Sequence, residues 1–145
     1  MADIVLDMNA LRLLLNKEYV GGIIEKNDHI FISKIWKRVH RSIRELHRGP
    51  TIFFMSIKEL SKRKRPHEVS GKSNLPTVIE RELKRKGASD DDFEIAKIAY
   101  DRRSVQNNVF LVSNDYHLSQ LKSIFEQDGI ILETQDDELN RVKYN

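Results

Sequence analysis

Asp3-Ile4-Val5-Leu6-Asp7 decides how this chain is read. Three branched apolar residues in succession, closed by an acid, describe a strand buried on both faces with a carboxylate at its C-terminal end. The design returns in Val109-Phe110-Leu111-Val112-Ser113-Asn114-Asp115. A third apolar run, Thr51-Ile52-Phe53-Phe54-Met55, is followed by Glu59, and Asp92 opens a helical stretch. Carboxylates at strand C-termini face the crevice in which open α/β sheets bind ligands. Several converging there cannot all stay ionised unless a cation neutralises them. Hard oxygen ligands of this kind suit Mg²⁺ or Mn²⁺.

Around these runs, strands alternate with helices. Asn9 is a helix cap ahead of Leu11, Leu14 and Leu15, and Gly21-Gly22 punctuates the segment after that helix. Ile32, Ile35, Trp36, Val39, Ile43 and Leu46 recur at three- and four-residue steps, which predicts a long helix over 27–48, stopped by Gly49-Pro50. Residues 51–55 are read as the second strand. Ser56 caps a helix carrying Glu59 and Leu60, which Arg65-Pro66 ends, and 67–74 reads as loop. Pro76 suits the first turn of a helix bearing Ile79 and Leu83 and stopping at Gly87. Ser89 caps the next helix, with Asp92 at the capping-box position. Phe93, Ile95, Ala96, Ile98, Ala99 and Tyr100 make that helix apolar on more than one face, as an interior helix is. Leu118, Leu121, Ile124 and Phe125 line a helix ending near Gly129, and Ile130-Ile131-Leu132 is the last strand. The pattern predicts one α/β domain over 1–145, a parallel sheet covered on both faces.

Composition narrows the function. The chain has 145 residues, 39% hydrophobic and 32% charged, within the range of one globular domain. It has no cysteine, which excludes a disulfide framework, a thiolate nucleophile and a cysteine zinc site. No basic leader precedes the first apolar run, and no stretch is long enough to cross a membrane, so a cytoplasmic setting is expected. Net charge is +3. Basic residues crowd 34–48, including Lys37, Arg38, Arg41 and Arg44, and again Lys62-Arg63-Lys64-Arg65, with a third group at 81–86. A basic surround to a small acidic pocket suits a polyanion held over a metal. Each basic group taken alone also reads as a solvated helix face.

A phosphodiester resists attack because its oxygens repel hydroxide, and divalent cations relieve that repulsion and activate water. Such chemistry needs carboxylates, a polar group to orient water, and cationic residues along the backbone. Asp7 and Asp115 are the first candidates for metal ligands because strand ends fix them. Asp92 is the third, and Glu59, with its longer side chain, is expected to act through water. Ser113 and Asn9 are polar neighbours able to orient a ligand or a water.

These motifs carry a family resemblance. Ile4-Val5-Leu6-Asp7-Met8-Asn9, Ile57-Lys58-Glu59-Leu60, Asp92-Phe93-Glu94-Ile95-Ala96 with Ala99, and Leu111-Val112-Ser113-Asn114-Asp115 together resemble a PIN domain. The resemblance spans nearly the whole chain. It implies a three-layer αβα sandwich around a central parallel sheet of four to five strands. It also implies a Mg²⁺- or Mn²⁺-dependent endoribonuclease with RNA as substrate, in which Ser113 helps position water. Some such proteins are toxins held by an antitoxin or other regulatory protein, others process ribosomal RNA, and a homodimer is compatible with either. Asp90, Asp91 and Asp92 are consecutive. The spacing to Ile95-Ala96 selects Asp92, with Asp91 in reserve.

Other signals are weaker. Gly71-Lys72-Ser73 resembles the end of a phosphate loop, but the first glycine of that pattern would fall at Pro66 and no strand precedes it. His40 and His47 lack further zinc ligands. His117 is a candidate for substrate contact or plain surface, and Tyr100 and Tyr116 for base stacking or packing. A nucleotide-binding Rossmann reading fails because Met8-Asn9-Ala10 stands where a glycine-rich turn belongs. The competing functional reading is a non-catalytic RNA- or protein-binding module of the same fold, in which the acids hold only a structural ion or a cap.

Overall fold

The computed structural model describes residues 2–7, 29–35, 58, 60–62, 65–105 and 108–134. Five strands build one all-parallel sheet: β1 (Asp3–Leu6), β2 (His29–Ser33), β3 (His67–Val69), β4 (Val109–Val112) and β5 (Ile130–Glu133). Their spatial order is β3-β2-β1-β4-β5. The chain therefore builds outward from β1 on one side, then returns to β1 and builds outward on the other. The reversal lies between β1 and β4, where an open parallel sheet leaves a crevice at its C-terminal edge. Asp7 and Asp115 both come after strands that border this point.

Register explains the apolar runs. Val5 lies opposite Phe31 on one side and Leu111 on the other, and Leu111 lies opposite Leu132. These side chains form one layer with Val109 and Ile130. Ile4, Leu6, Ile30, Ile32 and Val112 point the opposite way and are buried too. A strand enclosed on both faces has no reason to alternate polar and apolar residues.

The helices described are α1 (Thr77–Arg85), α2 (Asp90–Arg103), α3 (Tyr116–Ser119) and α4 (Lys122–Gln127). α2 packs on β1, β2 and β4, and α4 on β5. Ala96 and Ala99 are fully buried, and their small side chains let α2 sit close to the sheet. Ile95 and Ile98 flank them in the core with Ile79 and Leu83 of α1 and Phe125 of α4. At the opposite end of α2, Arg102 Nε donates to Asp3 Oδ2 at 2.7 Å, and its guanidinium lies 4.3 Å over the Phe31 ring. That pair gives Asp3, buried at the start of β1, a partner.

Three elements differ from the sequence reading. Residues 29–33 form β2 rather than the first turns of a long helix. Ile30, Phe31 and Ile32 are buried in succession, and such a run satisfies a helical template as readily as a strand. Residues 67–69 form β3 rather than loop. This edge strand has three residues, one of them apolar, and its signal lies in its pairing with β2, where Phe31 lies opposite His67 and Ser33 opposite Val69. The predicted strand at 51–55 and all of 36–48 lie outside the described residues. Lys58, Leu60 and Ser61 are helical, with Leu60 fully buried. The helix expected through Leu118 and Phe125 is two short helices. Bonds from Leu121 N–H to the Leu118 carbonyl and from Ile124 N–H to the Leu121 carbonyl tighten the chain between them.

The segment after β3 is strapped to α2. Gly71 N–H donates to Glu94, the N–H groups of Lys72 and Ser73 donate to Asp101, and so does the Ser73 hydroxyl. The donors of Gly71-Lys72-Ser73 are thus occupied by the protein's own carboxylates, and no phosphate-loop geometry is present. No helix among the described residues is long and apolar enough to cross a membrane.

Candidate metal centre

The backbone ladder continues one residue beyond each strand that borders the crevice. Asp7 N–H donates to the Val112 carbonyl at 2.9 Å, and Ser113 N–H donates to the Glu133 carbonyl at 3.0 Å. Asp7 and Ser113 are therefore held by the sheet itself. Asp7 is 2% exposed and Ser113 4%. The Ser113 hydroxyl donates to Asp7 Oδ2 at 2.7 Å and accepts from Asp115 N–H at 3.0 Å. Its one hydrogen goes to Asp7, so Ser113 orients that carboxylate.

Asp115 caps α3. Its Oδ1 accepts from His117 N–H at 2.7 Å and Leu118 N–H at 3.2 Å, which aims the carboxylate back across the crevice. Asp92 enters from α2. The predicted capping box is present: Ser89 Oγ accepts from Asp92 N–H, and Asp92 Oδ2 accepts from Ser89 N–H. That bond leaves Asp92 lone pairs over, because an ionised carboxylate has about four acceptor sites. Asp92 nonetheless is 5% exposed, on the inner side of its helix.

Asp91 enters as well. Its carboxyl lies within hydrogen-bonding reach of Asp7, and that of Asp92 within reach of Asp115. Burial, reinforced by Asp91 and Asp92, pushes the Asp7 carboxyl well above its usual range, although the Ser113 bond opposes this. Burial also raises Asp91, with Asp92 and Asp115 adding repulsion. Asp92 is raised by burial first and by Asp115 second. Asp7, Asp91 and Asp92, crowded in this way, keep protons, or accept a cation, at a pH where free carboxyls ionise.

His117 completes the rim. Its Nδ1 lies 3.6 Å from Asp92 Oδ2 and 3.7 Å from Asp115 Oδ1. Asp92, Asp115 and His117 each offer a ligand atom within 4.8 Å of the others. Nδ1 is sealed from solvent and has no hydrogen-bond partner among the described residues. Leaving a buried polar atom in that state costs about 1–3 kcal/mol. The donor set of carboxylate oxygens and one imidazole nitrogen fits a divalent cation.

Of the residues expected at the site, Asp7, Asp92, Asp115 and Ser113 are brought together. Glu59, Asn9, Lys37, Arg38, Arg41, Arg44, Arg63 and Lys64 lie outside the described residues. Lys62 and Arg65 are exposed. Asp91, second choice to Asp92 on sequence spacing, belongs to the cluster alongside it. A cleft of about 740 Å³ adjoins the start of α2, with Lys34, Lys84 and Lys97 on its walls beside Asp90, Phe93 and Glu94. Lys97 carried no sequence signal: it is one lysine on a helix, and only the docking of α2 turns it toward the cleft. Comparison with protein-family models, curated proteins and solved structures finds no match to the chain.

Proposed function

We propose that the chain is a divalent-metal-dependent endoribonuclease with a PIN-like, three-layer αβα design, Mg²⁺ or Mn²⁺ being the cofactor. The observation that carries this reading is the convergence of Asp7, Asp91, Asp92 and Asp115 at the β1–β4 reversal, with three of them displaced toward protonation by burial and mutual repulsion. Burial on both faces of the sheet supports the layered arrangement. A net charge of +3 on a chain with an acidic crevice supports a polyanionic substrate.

A divalent cation bound there supplies charge neutralisation at the phosphodiester and activation of water. The chain's own residues do the rest. Asp7, Asp92 and Asp115 would hold the cation, and Asp91, beside Asp7, takes up or releases a proton as the charge of the crevice changes. Ser113 keeps Asp7 in one orientation. Lysines on the walls of the cleft at the start of α2, Lys34 and Lys97 among them, hold the nucleic-acid backbone. Such a nuclease acts alone or under a regulatory protein such as an antitoxin, in the cytoplasm.

The test is cleavage of single-stranded and hairpin RNA with Mn²⁺, Mg²⁺ or EDTA. Cleavage is expected with metal and none with chelator. Asp7→Asn and Asp115→Asn are each expected to lower the rate by about a hundredfold or more, the upper end of the cost of even outer-shell changes at metal sites. Equal cleavage in EDTA, or undiminished cleavage by both variants, would overturn the proposal. Salt-sensitive RNA binding without turnover under any metal would favour a non-catalytic binding module instead.

A further inference from the structure

We infer that Nδ1 of His117 is a nitrogen ligand of the cation held by Asp92 and Asp115, and that it biases the site toward Mn²⁺ over Mg²⁺. The inference rests on the cation-binding half of the function proposed above and goes beyond it, since that reading needs only carboxylates.

Three features point to this role. First, Nδ1 is sealed from solvent and lacks a hydrogen-bond partner among the described residues, yet it faces two carboxylate oxygens. Second, the distances select a cation over a proton. At 3.6 and 3.7 Å the oxygens lie beyond the range of about 2.7–3.2 Å in which a protonated Nδ1 would hydrogen-bond. Two ligand atoms about 2.1 Å from one ion stand roughly 3–4 Å apart, as these do. Third, the ring is positioned rather than trailing. His117 lies in the turn that Asp115 caps, its N–H donates to Asp115 Oδ1 at 2.7 Å, and Tyr116 meets its ring edge-on at 6.4 Å between centroids. Ligation through Nδ1 leaves the ring hydrogen on Nε2.

A nitrogen ligand changes which ion is preferred. Mg²⁺ favours oxygen and retains its waters, whereas imidazole suits the transition metals. An all-carboxylate site discriminates little between Mg²⁺ and Mn²⁺, and one imidazole shifts it toward Mn²⁺.

Pulsed EPR of Mn²⁺ bound to the wild-type protein tests this, with histidine carrying ¹⁴N or ¹⁵N. The expected spectrum shows nitrogen modulation that changes with the isotope and disappears in His117→Ala. That variant is also expected to lose about tenfold or more of its Mn²⁺ affinity, with a smaller loss for Mg²⁺. The wild-type spectrum stands without any variant, so poor folding of His117→Ala leaves the test intact. Bound Mn²⁺ without histidine nitrogen coupling sinks this inference and spares the carboxylate site. No Mn²⁺ binding at all sinks both. Nitrogen coupling in a protein that cuts no RNA upholds the ligand and removes the nuclease.

Discussion

Asp7 carries its carboxyl where water barely reaches, with Asp91 beside it and Asp92 close by, and all three press against ionisation there. In the metal-free protein at neutral pH this arrangement works against folding. Asp7→Asn keeps the shape and an oxygen for the Ser113 hydroxyl while removing the charge. It is expected to stabilise the metal-free protein, measured as a higher urea midpoint in EDTA, even as it lowers the metal-dependent cleavage proposed above. A less stable variant in EDTA would mean that repulsion does not dominate at this residue. The sequence made Asp7 and Asp115 legible because each comes after an apolar run, and Asp92 because Ser89 stands three residues before it. Asp91 and Asp92 were not separable in this way. Successive helix positions differ by about 100°, and only the docking of α2 turns both inward while Asp90 stays exposed. The position of His117 depends on the short turn of α3, which no periodicity announces.

Among the elements, α1, α2, β1, β4 and β5 were readable from caps and apolar runs. β2 and β3 were not, and the reasons differ. β2 is apolar on every interior residue and matches two templates, whereas β3 exists because β2 offers it an edge. The strap at 70–74 then ties β3 to α2, and its tight point is Gly71. A methyl group there would collide with Lys97 Cβ and lie 3.0 Å from the Glu94 carbonyl oxygen. Gly71→Ala is therefore expected to cost about 1–3 kcal/mol through overpacking, read as a lower urea midpoint with an unchanged slope. A midpoint equal to that of wild type would show that the strap is not seated on the helix.

For the whole molecule, the acidic crevice links stability to pH and to metal. Asp7, Asp91 and Asp92 have folded-state values above the ordinary 3.8. Above that pH the folded chain holds more protons than the unfolded one, so stability falls as pH rises from about 4 through the raised values. In EDTA the protein is expected to melt at a higher temperature near pH 5 than near pH 7.5. Mn²⁺ at a hundred times its dissociation constant should restore about 2.7 kcal/mol at the higher pH, flattening the profile. A melting temperature that rises with pH in EDTA would contradict the assigned shifts. The same crevice also has an order of assembly. β1 pairs with β4, and the Ser113–Asp7 bond spans 106 positions of chain. During translation Asp7 is made early and waits, its partners on α2 and after β4 still unwritten. A crevice assembled this way cannot close until α2 and the turn after β4 have both left the ribosome and docked on β1.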